Sequence, residues 1–307
     1  MIAANNVQRL IITLQKSAPG MVLFFILACL LQPDLFAMQY TETIHETVRF
    51  QNAAGMENAL KVYNIQGDVI IEGHAGEEVI VTAEKIIDAR RQSDIEKGIE
   101  EMKLVVEQEN NSIFVYPDAP FINVRKRGDG ISYHVDGQDV DYEFTFQITI
   151  KVPEQVNIQA STINNGMVLV ENILAREIKA SNVNGPVVLK NVSGKTSVNT
   201  VNGDITADYS ESPTTDSEYQ TVNGTIEVMY PENLSADIRF QSLHGDLYTD
   251  FENIEYLSAR VERNSKRNAG GVAFRVDNYS PLRIGSGGPE FSFQVLNGDV
   301  YIKRIKS

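Results

Sequence analysis

The chain has 307 residues, with 27 Lys and Arg against 41 Asp and Glu and a formal net charge of −14. That acid excess excludes a nucleic-acid backbone as partner, since backbone binding needs a basic footprint to displace counterions. A single Cys excludes a disulfide scaffold and a cysteine-based zinc site, and 42% apolar residues exclude the disordered and collagen-like classes.

Residues 1–37 read as a signal peptide or N-terminal export segment, set apart from a folded domain over 38–307. Arg9 and Lys16 give an acid-free basic leader, and residues 21–31 are unbroken apolar sequence. The run is shorter than the roughly 20 residues of a membrane span but suits the apolar core of a signal. Cleavage is expected after Ala37, which leaves a folded part without cysteine for an oxidising compartment. Two other readings are lipidation at Cys29, where Ile26-Leu27-Ala28-Cys29 resembles a lipobox, and a retained anchor helix. The expected location is the periplasm, the outer membrane surface or the medium, with membrane contact only through this segment.

Ile65-Gln66-Gly67-Asp68-Val69 opens a pattern that an interruption then delays. Residues 79–85 predict a strand. Residues 93–102 predict a short helix with Ser93 as N-cap and Glu96 three residues on. Residues 103–109 and 112–116 predict strands paired across Asn110-Asn111. A polar excursion over 117–141 follows, and then a strand over 142–152. The helix and excursion form a first insert, about 92–141.

The pattern then returns. Asn164-Asn165-Gly166-Met167-Val168 is a degenerate copy. Val183-Asn184-Gly185-Pro186-Val187, Val201-Asn202-Gly203-Asp204-Ile205, Val222-Asn223-Gly224-Thr225-Ile226 and Leu243-His244-Gly245-Asp246-Leu247 follow it. A second insert, about 253–289, precedes Leu296-Asn297-Gly298-Asp299-Val300. From Gly166 the glycines are spaced 19, 18, 21 and 21 residues apart, then 53 to Gly298.

A period near 20 residues is one coil of a solenoid, in which each coil buries its apolar face against its neighbours. Residues two after each glycine are aliphatic throughout, and those two before are aliphatic except at Asn164. The expected fold is therefore all-β: a single-stranded β-solenoid (β-helix-like) with coils of about 20 residues, one short helix and two inserts. A hairpin meander is the alternative. Gly67, Gly166, Gly185, Gly203, Gly224, Gly245 and Gly298, with Asn184, Asn202, Asn223 and Asn297, are structural turn residues. In an Asn-Gly primed turn both positions need φ > 0.

Residues 218–228 and 231–238, with the closing 287–290 and 296–302, resemble the bacterial "putative adhesin" domain family, a domain of unknown function. The resemblance covers most of 38–307 and is best from about Val156 onward. It implies a β-solenoid of exported or envelope-associated proteins and brings no catalytic residues with it.

Chemistry is sparse. Along the chain the position after glycine reads Met167, Pro186, Asp204, Thr225, Asp246, so no two successive coils both carry Asp. Carboxylates two coils apart lie about 9–10 Å from one another. A calcium site needs oxygens about 2.3–2.6 Å from the metal, so solvated turn aspartates are the expectation. His45, His74, His134 and His244 have no metal-ligand spacing. No catalytic, metal or cofactor residue is assigned.

The preferred binding candidate is the first insert, with Phe121, Arg125, Lys126, Arg127 and Tyr133, because long loops on a rigid scaffold commonly carry function. Arg263, Lys266 and Arg267 form a second basic cluster, and Arg127-Gly128-Asp129 is read as an ordinary turn. The first functional reading is a non-enzymatic envelope scaffold or adhesin-like interaction protein. Its partner is an envelope protein or glycan, and self-association is open to it through end strands. The alternatives are a polysaccharide-active β-helix enzyme and a regulatory partner in envelope stress sensing.

Overall fold

Short runs of alternating aliphatic residues dictate strands, and here the strands wind. The computed structural model describes residues 38–51, 57–127, 130–135, 140–257, 262–268, 271–277 and 280–305. Residues 1–37, the expected export segment with Cys29, and Gly128-Asp129 of the turn tripeptide lie outside the described residues.

The chain enters as β1 (Met38–Arg49), makes a coil from β2 (Ala59–Tyr63) and β3 (Val69–His74), and turns back in β4 (Glu78–Ala89). Helix α1 (Gln92–Glu101) leads to β5 (Lys103–Glu109) and β6 (Ser112–Asp118), the hairpin β7 (Ile122–Arg127) and β8 (Gly130–Val135), and β9 (Tyr142–Pro153). Regular winding then runs through β10 (Asn157–Thr162), β11 (Val168–Asn182), β12 (Val187–Asn202), β13 (Ile205–Tyr209), β14 (Ser217–Asn223), β15 (Ile226–Tyr230), β16 (Ala236–His244) and β17 (Leu247–Thr249). After β18 (Ile254–Tyr256), the hairpin β19 (Glu262–Asn268) and β20 (Gly271–Asp277), and β21 (Ser280–Ile284), the chain ends in β22 (Glu290–Asn297) and β23 (Val300–Arg304).

Winding produces two parallel sheets, face to face. One stacks β9, β3, β11, β12, β13, β15, β23 and β17. The other stacks β6, β2, β10, β11, β12, β14, β22 and β16. Strands β11 and β12 serve both because each bends round from the first sheet into the second. Val168, at the start of β11, pairs with Val69, while Ile178, further along it, pairs with Ile158. The β-solenoid is thus the fold of this chain.

The core is a set of straight rows, one residue per coil. Val69, Val168, Val187, Ile205, Ile226 and Val300 stand in register and are fully buried, with Ile71, Val170, Leu189, Ala207, Val228 and Ile302 beside them. These are the aliphatic positions two and four after each glycine. Aromatic rows continue the stacking. Tyr209 lies on Tyr230 at 4.9 Å between ring centroids, Tyr230 on Phe291 at 5.3 Å, and Tyr219 on Phe293 at 5.0 Å.

Three features depart from the sequence reading. The coil order in space is not the chain order: β22–β23 lie between β14–β15 and β16–β17, so the Gly298 coil separates those of Gly224 and Gly245. The phenyl rings of Phe291 and Phe293 fill that gap, stacked against Tyr230 and Tyr219. β23 is therefore paired on both sides over Val300–Ile302, and the open edge at this end of the stack belongs to β17.

The helix begins one residue earlier than expected, and Ser93 does not cap it. Arg91 is the N-cap residue, without a side-chain cap, and its guanidinium pairs with Asp94 in the first turn at 2.7 Å. A carboxylate at the helix N-terminus suits the macrodipole. Finally, the inserts are structural in part. β6 of the first insert pairs in parallel with β2 and makes, with β9, a further layer below the Gly67 coil. β21 of the second insert pairs antiparallel with the first half of β16 and caps that end. The opposite end is closed by antiparallel β5, β4 and β1.

The buried phenols make a pH prediction. Tyr209 and Tyr219 share a hydroxyl cluster with Thr196, whose Oγ1 lies 2.5 Å from the Tyr209 hydroxyl and 2.9 Å from that of Tyr219. The Tyr230 hydroxyl donates to Tyr219 at 3.4 Å. Burial, first, and then the charge of a neighbouring tyrosine hold all three phenols well above the ordinary tyrosine range, against hydroxyl hydrogen bonds that pull the other way. The unfolded chain releases these protons near pH ~10 and the folded one does not. Stability from this cluster is therefore complete below that pH and declines as pH rises above it. In an alkaline titration their phenolate absorbance is expected to arrive only together with loss of the far-ultraviolet β signal. Full ionisation of all tyrosines in a folded chain would refute this.

Candidate interaction surface

The corner that each Asn-Gly pair makes is where this sequence concentrates its repeats, and four rows of contacts run along it. The first is the glycine row. A Cβ built on Gly166 meets the carbonyl oxygen of Gly67. Gly185 meets that of Gly166, Gly203 that of Gly185, Gly224 that of Gly203, Gly298 that of Gly224, and Gly245 that of Gly298, all far inside van der Waals contact. Glycine is needed because backbones touch.

The primed-turn reason does not hold. The described non-glycine residues at positive φ are Asn110, Asn165, Asn172 and Asn191, and none of the paired asparagines is among them. Those asparagines form the second row instead. The Asn184 amide donates to Asn164 at 2.9 Å, Asn202 to Asn184 at 3.0 Å, Asn223 to Asn202 at 2.8 Å, and Asn297 to Asn223 at 2.8 Å. One exposed amide chain thus crosses five coils, and polarised donors in series reinforce one another. The degenerate copy also resolves: Asn165, at φ 52, is an inserted residue, so Asn164 keeps the ladder.

The third row lies inside, three residues before most of the glycines. Thr162 donates to the Gly67 carbonyl at 2.8 Å, Asn182 to that of Gly166 at 2.9 Å, Thr200 to that of Gly185 at 2.9 Å, and Thr221 to that of Gly203 at 3.0 Å. The aspartates form the fourth. Asp68 accepts the Met167 N–H at 2.8 Å, Asp204 that of Thr225 at 2.7 Å, and Asp299 that of Asp246 at 2.9 Å. Because the last coil is interposed, Asp299 and Asp246 sit on neighbouring coils, against the expectation that no two aspartates would. Yet one carboxylate oxygen of Asp299 is taken by backbone, and no group of three His, Cys, Asp or Glu able to hold a metal occurs among the described residues.

The surface itself comes from the residue before each paired asparagine. Ile65, Ile163, Val183, Val201, Val222, Leu296 and Leu243 align across successive coils, as the pairings of their neighbours fix. The sequence pattern assigned this position, like the one two after glycine, to the buried face. The structure reverses the orientation at most coils. The corner shifts the alternation by one, so Thr221 and Ile226 face inward while Val183, Val201, Leu296 and Leu243 are 37, 40, 43 and 66% exposed. A straight apolar stripe with a hydrogen-bonding amide stripe beside it runs along the corner.

The insert residues are dispersed. Phe121 is buried against Tyr142 and Phe144. Tyr133 donates its hydroxyl to the Tyr63 carbonyl at 3.2 Å and packs edge-on against that ring. Tyr133 fastens the β7–β8 hairpin onto β2, and Phe121, just ahead of β7, packs onto β9. Arg125 is exposed on β7, whose last two positions are Lys126 and Arg127. Of the histidines, His74 closes the turn after β3 through the Glu78 carbonyl and the Gly76 N–H. An open cavity of about 990 Å³ lies over the second sheet, lined by Lys61, Arg176, Glu177, Lys179, Lys195 and Asp216. Glu177 already pairs with Lys179 and Lys195 there, at 2.7 and 3.7 Å, so its charges are largely spent on one another.

A flat two-sheet solenoid with a repeat-built corner defines the class of protein to which the chain is similar. Residues 134–279 match the family model described as Toastrack DUF4097, a domain of unknown function. This match shows the resemblance to the adhesin-like family that the turn motifs carried, over a shorter stretch: the Gly67 and Gly298 coils lie outside it.

Among solved structures, a putative cell adhesion protein from Clostridium sporogenes ATCC 15579 is 12% identical, with 86% of this chain and 100% of that chain covered and a TM-score of 0.42. A putative adhesin from Bacteroides fragilis NCTC 9343 is 11% identical, with 86% and 97% covered and a TM-score of 0.27. A putative lipid binding protein from Parabacteroides distasonis ATCC 8503 is 12% identical, with the same coverages and a TM-score of 0.23. No curated protein matches. At such similarities these names say nothing about what the present chain binds.

Proposed function

We propose that the chain is a non-enzymatic, exported cell-envelope scaffold or adhesin-like interaction protein, whose partner is an envelope protein or a glycan. The observation that carries this reading is the corner of the stack, where exposed Val183, Val201 and Leu296 each stand beside an asparagine of the amide ladder. Such a surface offers apolar area to bury and regularly spaced hydrogen-bonding groups, as an extended partner requires. The occupied aspartates weigh against acid-base chemistry at the same corner. Export is supported by the basic leader and apolar run of residues 1–37. Among the described residues no helix is long and apolar enough to cross a membrane. The β7–β8 hairpin, with Arg125, Lys126 and Arg127, is the second proposed contact, suited to an anionic polymer.

Binding arrays of glycans, envelope polymers and surface proteins test this. Saturable binding is expected. The triple substitution Val183→Ser, Val201→Ser and Leu296→Ser, all at exposed positions, is expected to weaken it by about tenfold or more, since each aliphatic side chain buried on binding contributes roughly 1 kcal/mol. Binding that survives the triple variant but is lost on removing residues 122–135 would move the contact to the hairpin. Turnover of a glycan, or no saturable binding, would overturn the proposal.

A further inference from the structure

The stack stops at the Gly245 coil without being finished. In the coils below, the glycine N–H and the N–H two residues on donate upward to the next coil: Gly224 to the Asn297 carbonyl, Ile226 to that of Asp299, Gly298 to that of His244, and Val300 to that of Asp246. Among the described residues no coil lies above the corresponding donors on Gly245 and Leu247. β21 covers only Ala236–Phe240 of β16, and β17 pairs with β23 alone among the described residues. Apolar exposure concentrates at the same end. The three most exposed large apolar or aromatic residues described are Tyr256 at 85%, Leu243 at 66% and Tyr248 at 47%, all on this terminal layer.

We infer that this edge pairs with a second copy of the chain, antiparallel and end to end, about a two-fold axis through Gly245. The occupant follows from what each end offers. The opposite end is covered by antiparallel strands with β1 outermost, so among the described residues the open edge of a parallel coil lies at Leu243–Leu247, and the match this segment makes with itself names the occupant.

The segment is self-complementary. With Gly245 facing the partner's Gly245, Leu243 stands opposite the partner's Leu247 and His244 opposite the partner's Asp246. Leu243, Gly245 and Leu247 carry the outward backbone groups and form the hydrogen-bonded pairs. His244 and the partner's Asp246 then fall at the non-hydrogen-bonded position, where opposed residues come closest, about 4.5 Å between Cα atoms. Opposite charges there are favourable and like charges unfavourable. The glycine at the centre leaves the backbones free to meet, as glycine does at the corner of every coil below.

Within one chain His244 neighbours Asn297, and Asp246 neighbours Asp299, whose carboxylate accepts the Asp246 N–H. The His244 and Asp246 side chains are exposed. Edge pairing of this kind is β-augmentation, with backbone bonds giving affinity and alternate side chains giving selectivity. The inference goes beyond the proposed function and does not depend on what the corner binds.

Light scattering on the full chain over a concentration series tests it, with folding checked by far-ultraviolet dichroism. The expected result is a dimer whose fraction rises with concentration. His244→Asp alone sets like charges opposite one another at both crossed pairs, and Asp246→Arg alone takes away the carboxylate that faces the imidazole; each weakens the dimer by about tenfold. The double variant sets Arg opposite Asp and regains it. A monomer at every concentration would overturn the inference. So would a dimer indifferent to both single substitutions, or a double variant no better than either.

Discussion

Alanine in place of Gly203 is expected to cost at least about 3 kcal/mol of folding stability, the range reserved for steric overpacking and disrupted backbone contacts. The methyl group would enter the Gly185 carbonyl from the coil below, and a backbone atom cannot rotate away as a side chain can. The two coils must therefore separate locally, loosening the Thr200 bond to the Gly185 carbonyl and the Asn202 bond to Asn184 that span them. Asn202→Ala, one residue away, removes only exposed amide contacts and is expected to cost about 1 kcal/mol. Urea denaturation of the pair of variants measures the difference. Equal, small losses would show that the coils are not held at backbone contact.

Tyr219→Ala is expected to have a comparable effect by a different route, about 3–5 kcal/mol, as for other large aromatics removed from a core. The ring is fully buried, lies 7° from parallel to Phe293, and holds the interposed C-terminal coil against β14. Its hydroxyl also joins Thr196, Tyr209 and Tyr230. Tyr219→Phe keeps the stack and strands those hydroxyls, for an expected loss of about 1–3 kcal/mol. The order alanine, then phenylalanine, then wild type, read from urea midpoints, separates ring packing from hydrogen bonding. A phenylalanine variant as damaged as the alanine one would assign the stability to the hydroxyl cluster rather than to the stack.

The winding was legible because it repeats. A motif such as Val201-Asn202-Gly203-Asp204-Ile205, returned at coil length, carries both the strand and its register, and the inward rows two and four after each glycine follow from alternation alone. The outward direction of Val183 and Val201 was hidden because the corner shifts the alternation by one, and no residue announces that shift. The inner row of Thr162, Thr200 and Thr221 left a trace, small polar residues just ahead of exposed aliphatics, which a pattern of apolar positions passes over. Coil order was invisible for another reason. Gly298 repeats the same motif as Gly245, and only the meeting of Phe291 and Phe293 with Tyr230 and Tyr219, distant in sequence, decides which coil lies inside. As for the insert, Phe121 and Tyr133 looked like contact residues because they are aromatic, yet the same apolar area fastens the hairpin to its sheet.

The interposed coil gives residues 290–304 a keystone's position. Synthesis proceeds from the N-terminus, and a solenoid can ordinarily zip up coil by coil as it emerges, since each layer needs only the one before. Here β16 and β17 are made before the layer they rest on. They must wait, unsupported, until residues 290–304 arrive and slide between them and β14–β15. A chain cut short before Glu290 would thus lose two layers, with Leu243 and Phe240 left over a vacant slot. The cap is thereby a check on synthesis: it closes only once residues 290–304 have been made and seated.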